Sequence, residues 1–321
     1  MALLFRLFMV MILIILSIFI KAQSNTVEKD NISSRKTLEI LAPSKTNTRE
    51  RIEIPFEVHD GLIFVQASLN GKKGTFILDS GAPYLILNSD AENITYNSSY
   101  KSEACGVGGK VKKSGSAHIK SFDWNGITLS EGNVLSVSMS HLSNKKNILG
   151  LIGYCVFNDY TLTFDYKRHK VTAVLNTSLA KEKELNDKPF TTIPFEMYMH
   201  FPVFSMEING KIYNMALDSG AASNVLYEKY VPELKDFITS YRKGNLTGIG
   251  GKTKAKKGHI KKLEVGSISY KRLSFIFEND MLNGLNKKST LKIDGLLGYG
   301  FLKQYITTVD FKAKEIRIYK R

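Results

Sequence analysis

Two aspartates in this chain of 321 residues stand in the same pentapeptide. Leu-Asp-Ser-Gly-Ala closes an apolar run at residues 78–82, within TFILDSGAPYLIL, and again at 217–221, within NMALDSGAASNVL. A carboxylate at the end of a buried strand is costly to desolvate. Asp, Ser and Gly are also ordinary turn residues, and one occurrence reads as a turn. Two occurrences put Asp79 and Asp218 forward as a pair. Carboxyls held about 3 Å apart do not both ionise readily, so they share a proton. One is then a base and the other an acid at the same pH, the pairing that general acid–base chemistry uses.

The elements that must position these acids repeat with them. RIEIPFEVHDGLIFVQASLNGKKGTFILDSGA, from Arg51, parallels TIPFEMYMHFPVFSMEINGKIYNMALDSGA, from Thr192. Pro55 stands as far before Asp79 as Pro194 stands before Asp218, and Asn70-Gly71 and Asn209-Gly210 keep the same spacing. Asn-Gly between apolar runs predicts a tight β-hairpin, so each aspartate ends the second strand of one. CGVGGK at Cys105 then parallels TGIGGK at Thr247, and GLIGY at Gly150 parallels GLLGY at Gly295. The offset drifts between elements that keep their order, which is the mark of a duplicated lobe with loop insertions. Val, Ile, Thr, Phe and Tyr recur between turn signals, and the expected class is all-β.

Boundaries follow from composition. Residues 1–22 read as a signal peptide, with Arg6, an apolar run from Leu7 to Ile20 and Ala22 as the cleavage residue; an uncleaved anchor is the alternative. Residues 23–50 are polar and read as a flexible leader. The N-terminal lobe is expected over 51–178, a linker over 179–192 and the C-terminal lobe over 193–321. The body is expected to be exported, periplasmic or secreted. Cys105 and Cys155 are the two cysteines; export permits a disulfide, but they read as two free, partly buried thiols. The formal charge of +15 comes from lysines spread along the chain, with no nucleic-acid-binding pattern. No metal-ligand spacing is present, and no cofactor is expected. Trp124 is expected to pack.

The ordered set of motifs resembles the aspartic peptidases. Asp79-Ser80-Gly81, the glycines from Gly106 to Gly109 and Leu151-Ile152-Gly153 make up the first copy. Asp218-Ser219-Gly220, Gly248 to Gly251 and Leu296-Leu297-Gly298 make up the second. The glycine cluster in both halves, and Ala82 and Ala221 after the active motifs, resemble the retroviral branch more than the pepsin branch. The resemblance covers nearly everything from Arg51 to Arg321. It implies two homologous retropepsin-like β-barrel lobes fused in one chain, with the active site between them.

What the resemblance implies for individual residues follows. Asp79 and Asp218 are the catalytic acids. Ser80 and Ser219 link the two active-site loops through their hydroxyls, and Gly81 and Gly220 open the backbone amides to the carboxylates. Gly106, Val107, Gly108 and Gly109, with Gly248, Ile249, Gly250 and Gly251, form flap hairpins over a peptide substrate. Lys252, Lys254, Lys256 and Lys257 read as a solvated face that also suits acidic peptides. The enzyme is expected to be an endopeptidase, active as a monomer. Membrane contact is expected only through an uncleaved anchor or the basic surface. Two alternatives remain at this level: a catalytically silent peptide-binding protein of the same fold, and a basic envelope-binding protein.

Overall fold

The computed structural model describes residues 10–11, 43–47, 49–92, 94, 96–97, 105–106, 109–110, 114–140, 142, 147–177, 188–248, 251–287 and 291–320. Among them strands predominate, and the longest helix, Asp280–Asn286, has seven residues. The chain is all-β. Apart from Val10–Met11, which runs parallel to Leu246–Thr247, the expected signal peptide lies outside the described residues.

Each repeat opens with the hairpin its sequence predicts. Leu62–Leu69 pairs with Lys72–Leu78, and Phe201–Ile208 with Lys211–Leu217. The turn residues Asn70 and Gly71 have φ of 52° and 78°, and Asn209 and Gly210 have 51° and 75°. Two successive positive φ angles give the turn whose twist suits a two-residue hairpin, and Asn-Gly adopts it at least cost. The second strand of each hairpin then runs into its aspartate.

A later strand in each repeat clamps that end. Ile148–Ile152 runs parallel to Lys72–Leu78, with Ile152 opposite Leu78, and antiparallel to Ile86–Asn88. Gly295–Leu297 stands likewise between Lys211–Leu217 and Asn224–Tyr227. The Asp79 amide donates to the Ile152 carbonyl at 3.0 Å, and the Asp218 amide to the Leu297 carbonyl at 3.0 Å. The apolar-apolar-Gly motif is therefore the strand that holds each aspartate at a sheet end.

Eleven of the strands between Lys45 and Ile152 form one sheet, Cys105–Gly106 and Gly109–Lys110 form a two-stranded sheet, and the strands between Glu196 and Leu297, with Val10–Met11, form a nine-stranded one. A 6-stranded sheet joins the repeats. Arg51–Pro55, Tyr160–Asp165 and Lys170–Leu175 come from the first, and Thr191–Pro194, Ile306–Asp310 and Glu315–Tyr319 from the second. At its centre Thr163 lies opposite Thr308, with Leu162 opposite Val309 and Phe164 opposite Thr307. That register is the same read from either repeat. Alternation in Arg51–Pro55 buries Ile52 and Ile54 and leaves its charges outside. One apolar core runs through both repeats, including Ile63, Val65 and the fully buried Trp124 with Met206, Phe275 and Phe301.

Two segments are more ordered than composition suggests. Lys45–Asn47, read as part of a flexible leader, pairs with Ile127–Leu129. Lys45 Nζ lies 2.6 Å from an Asp159 carboxylate oxygen, and Asn47 donates to the same group at 3.0 Å. Edge pairing satisfies the backbone of a segment whose side chains are polar, which apolar periodicity cannot reveal. Thr191 likewise begins a strand inside the expected linker, of which residues 179–187 lie outside the described residues.

Candidate active site

The sheet that joins the repeats brings the two Asp-Ser-Gly turns face to face. Each turn is first closed on itself: the Gly81 amide donates to Asp79 Oδ1 at 2.8 Å and the Gly220 amide to Asp218 Oδ1 at 2.8 Å. The serines then tie one turn to the other. The Ser80 amide donates to Ser219 Oγ at 3.0 Å, and the Ser219 amide donates to Ser80 Oγ at 2.9 Å. Ser219 Oγ donates onward to the Leu78 carbonyl at 3.1 Å. These are reciprocal bonds between residues 139 positions apart.

Each carboxyl lies against the other repeat's glycine. A β-carbon on Gly81 would fall 2.6 Å from Asp218 Oδ2, and one on Gly220 would fall 2.1 Å from Asp79 Oδ1. Only glycine leaves that space. Both aspartates are 0% exposed, and the two carboxyls are near enough to act on each other's titration.

Burial drives both acids well above the ordinary carboxylate range, and the charge of Asp218 raises Asp79 further. Amides pull the opposite way: Gly81 and Ala82 act on Asp79, and Gly220 and Gly81 act on Asp218. Oδ2 of each acid finds no donor among the described residues. A proton held between the acids would supply what no N–H does. The arrangement can therefore present a base and an acid side by side, buried where their electrostatic effect is large.

The strands on either side of each glycine cluster pair antiparallel. Gly106 lies opposite Gly109 in the pair Cys105–Gly106 and Gly109–Lys110. Gly248 lies opposite Gly251 in the pair Ile238–Gly248 and Gly251–Val265. The tip residues Val107, Gly108, Ile249 and Gly250 lie outside the described residues. The second hairpin is strongly basic: Arg242 stands opposite Lys257, and Lys243 opposite Lys256. Like charges directly across a ladder repel. Burial first, and Arg242 second, push the Lys257 ammonium below its usual range, while Lys256 pairs with Glu228.

Cys155 is a free, half-buried thiol. Among the described residues no group of three His, Cys, Asp or Glu side chains could hold a metal ion. One residue at the site escaped sequence reasoning. His200 is buried, with Nε2 2.7 Å from the Gly81 carbonyl oxygen. Its signal lies in the repeat, where it replaces Gly61, but a single substitution within a repeat carries no chemistry until its neighbour is known.

Residues 204–304 match the family model for gag-polyprotein putative aspartyl protease. No curated protein matches the chain. The matched segment contains Asp218-Ser219-Gly220, the glycines from Gly248 to Gly251 and Leu296-Leu297-Gly298. That segment is similar to retropepsin-like aspartyl protease domains, a class whose chemistry is hydrolysis and whose substrates are peptides.

Proposed function

We propose that the chain is an aspartic endopeptidase whose single active site lies between two lobes, with Asp79 from one and Asp218 from the other sharing a proton. The observation that carries this reading is the reciprocal seating of each carboxyl against the other repeat's glycine. The ionised acid accepts a proton from water as its oxygen attacks the peptide carbonyl. The protonated acid gives its proton to the carbonyl oxygen, forming a tetrahedral gem-diol. On collapse, one hydroxyl proton returns to an acid, the C–N bond breaks and the leaving nitrogen takes a proton from the pair. Because both acids are drawn from one chain, the site assembles within a monomer, and specific activity is independent of dilution. The apolar N-terminal run supports an exported protein acting in the periplasm or outside the cell.

The test is incubation of the protein with a diverse peptide pool, with and without a statine-type transition-state analogue, followed by sequencing of the products. Internal cleavage suppressed by the analogue supports the reading. Intact peptides throughout would contradict it.

A second reading has its own observation. The opposed cations of the hairpin that ends in Gly248 and Gly251 favour an anionic partner. A silent peptide-binding or envelope-binding protein would bind acidic peptides or anionic surfaces through them without turnover.

A further inference from the structure

One position breaks the repeat beside the paired aspartates. Gly61 and His200 stand equally far ahead of Asp79 and Asp218, each just before the first strand of its hairpin. Gly61 has φ 85°, and a β-carbon there would lie 2.8 Å from the Ala222 carbonyl oxygen. The first repeat's backbone thus abuts the second repeat's Asp loop with no space for a side chain. The second repeat carries an imidazole here, and it reaches the first repeat's Asp loop.

His200 is 4% exposed. Its ring lies beside Phe201, with centroids 4.2 Å apart, and Nε2 stands 2.7 Å from the Gly81 carbonyl oxygen. A carbonyl only accepts, so the proton is on Nε2 and the ring donates. Burial lowers the imidazole pKa to about 4, which keeps the ring neutral at ordinary pH.

The Gly81 carbonyl belongs to the peptide whose N–H is that of Ala82. That N–H closes the turn on the Asp79 carbonyl at 3.1 Å, while the Gly81 N–H donates to Asp79 Oδ1 at 2.8 Å. A peptide following glycine turns over more easily than any other, because glycine tolerates both the starting and the flipped backbone. A buried hydrogen bond to its carbonyl opposes the flip, since flipping would leave the donor unpaired in a dry site. The equivalent position of the first repeat cannot clamp Gly220 in this way, because Gly61 has no side chain to offer.

We infer that His200 is a positioning residue: it fixes the Gly81–Ala82 peptide and so holds the Asp79 carboxyl against Gly220 and Asp218 in the geometry that proton sharing needs. This rests on the peptidase reading. It makes the active site asymmetric, with the second repeat supplying a support to the first that it does not receive in return.

The experiment compares peptide hydrolysis by the protein, His200→Phe and His200→Gln, with Asp79→Asn as the inactive control. Phenylalanine keeps an apolar ring without a donor, and glutamine keeps a donor without the ring. In His200→Phe, kcat should fall about tenfold with KM nearly unchanged, and His200→Gln should recover most of it. The melting temperatures of the two variants should be alike. A His200→Phe enzyme with the parent's kcat would overturn the inference, as would equal losses in both variants that track their melting temperatures. A parent without activity, or an active Asp79→Asn, would instead overturn the peptidase reading and this inference with it. Nitrogen NMR of the parent is independent of variant folding: the neutral Nε2–H tautomer is expected, and an Nδ1–H tautomer would refute the clamp.

Discussion

Gly220 and Asp79 share one space. A β-carbon on Gly220 would lie 2.1 Å from Asp79 Oδ1, although the two residues belong to different repeats. Gly81 stands in the same relation to Asp218, at 2.6 Å from Oδ2. A methyl group at either position must displace a buried carboxyl from its partner. Gly81→Ala and Gly220→Ala are each expected to lower kcat by about a hundredfold or more, since small misplacements of reacting groups cost that much. Steady-state kinetics on the purified variants checks this, with circular dichroism to show that the sheets persist.

The acids also mark the stability of the protein. An unfolded aspartate loses its proton near about 3.9, whereas burial holds the folded pair's proton to higher pH, about 7 for Asp218. The folded state therefore binds more protons across that window, and stability falls as pH rises through it. Asp218→Asn removes an ionisable member of the pair. Its melting temperature should exceed the parent's by a few degrees at pH 7, with the difference closing towards pH 4. Calorimetry across that range decides the matter, and a difference independent of pH would contradict the account.

The serines should not be equivalent. Ser80 Oγ accepts the Ser219 amide, while Ser219 Oγ accepts the Ser80 amide and also donates to the Leu78 carbonyl. Ser219→Ala leaves two buried backbone groups unpaired and should cost about 2 kcal/mol or more, with Ser80→Ala costing about 1–2 kcal/mol. Urea denaturation of both variants gives the ordering. A larger cost for Ser80→Ala would reverse it.

Much of this arrangement is legible in the amino-acid sequence. The Asn-Gly turns, the apolar runs and the duplicated Asp-Ser-Gly are local signals, and each specifies its own hairpin or turn. The match in spacing marks Asp79 and Asp218 as equivalent. Contact between repeats is what the sequence does not carry. Thr163 and Thr308 sit in strands that read as ordinary, and nothing local says that their hydroxyls meet at 2.7 Å. His200 reads as one more unmatched residue, because its role depends on Gly81, far away in the chain. Lys45–Asn47 is polar and joins a sheet edge through its backbone, a bond that leaves no trace in side-chain pattern.

The basic hairpin makes a prediction about substrates. With Arg242 opposite Lys257 and Lys243 opposite Lys256, peptides carrying Asp or Glu should have a lower KM than uncharged ones, and the advantage should shrink as salt rises. Lys243→Gln with Arg242→Gln should narrow the preference several-fold and leave kcat unchanged. Kinetics with matched acidic and neutral peptides at low and high salt tests this. A preference that survives both salt and substitution would assign it to other residues.

The most direct test of the central claim is peptide hydrolysis measured against pH for the protein, Asp79→Asn and Asp218→Asn. The parent should give a bell-shaped profile, because one acid must be ionised and the other protonated, and both limbs belong to the coupled pair. Its optimum should lie in the weakly acidic range, since burial raises both acids and neither Ala82 nor Ala221 offers a hydroxyl to the carboxylates. Each Asn variant should lose turnover about a thousandfold or more at every pH while remaining folded. Substantial activity in either variant would contradict a shared-proton pair built from Asp79 and Asp218.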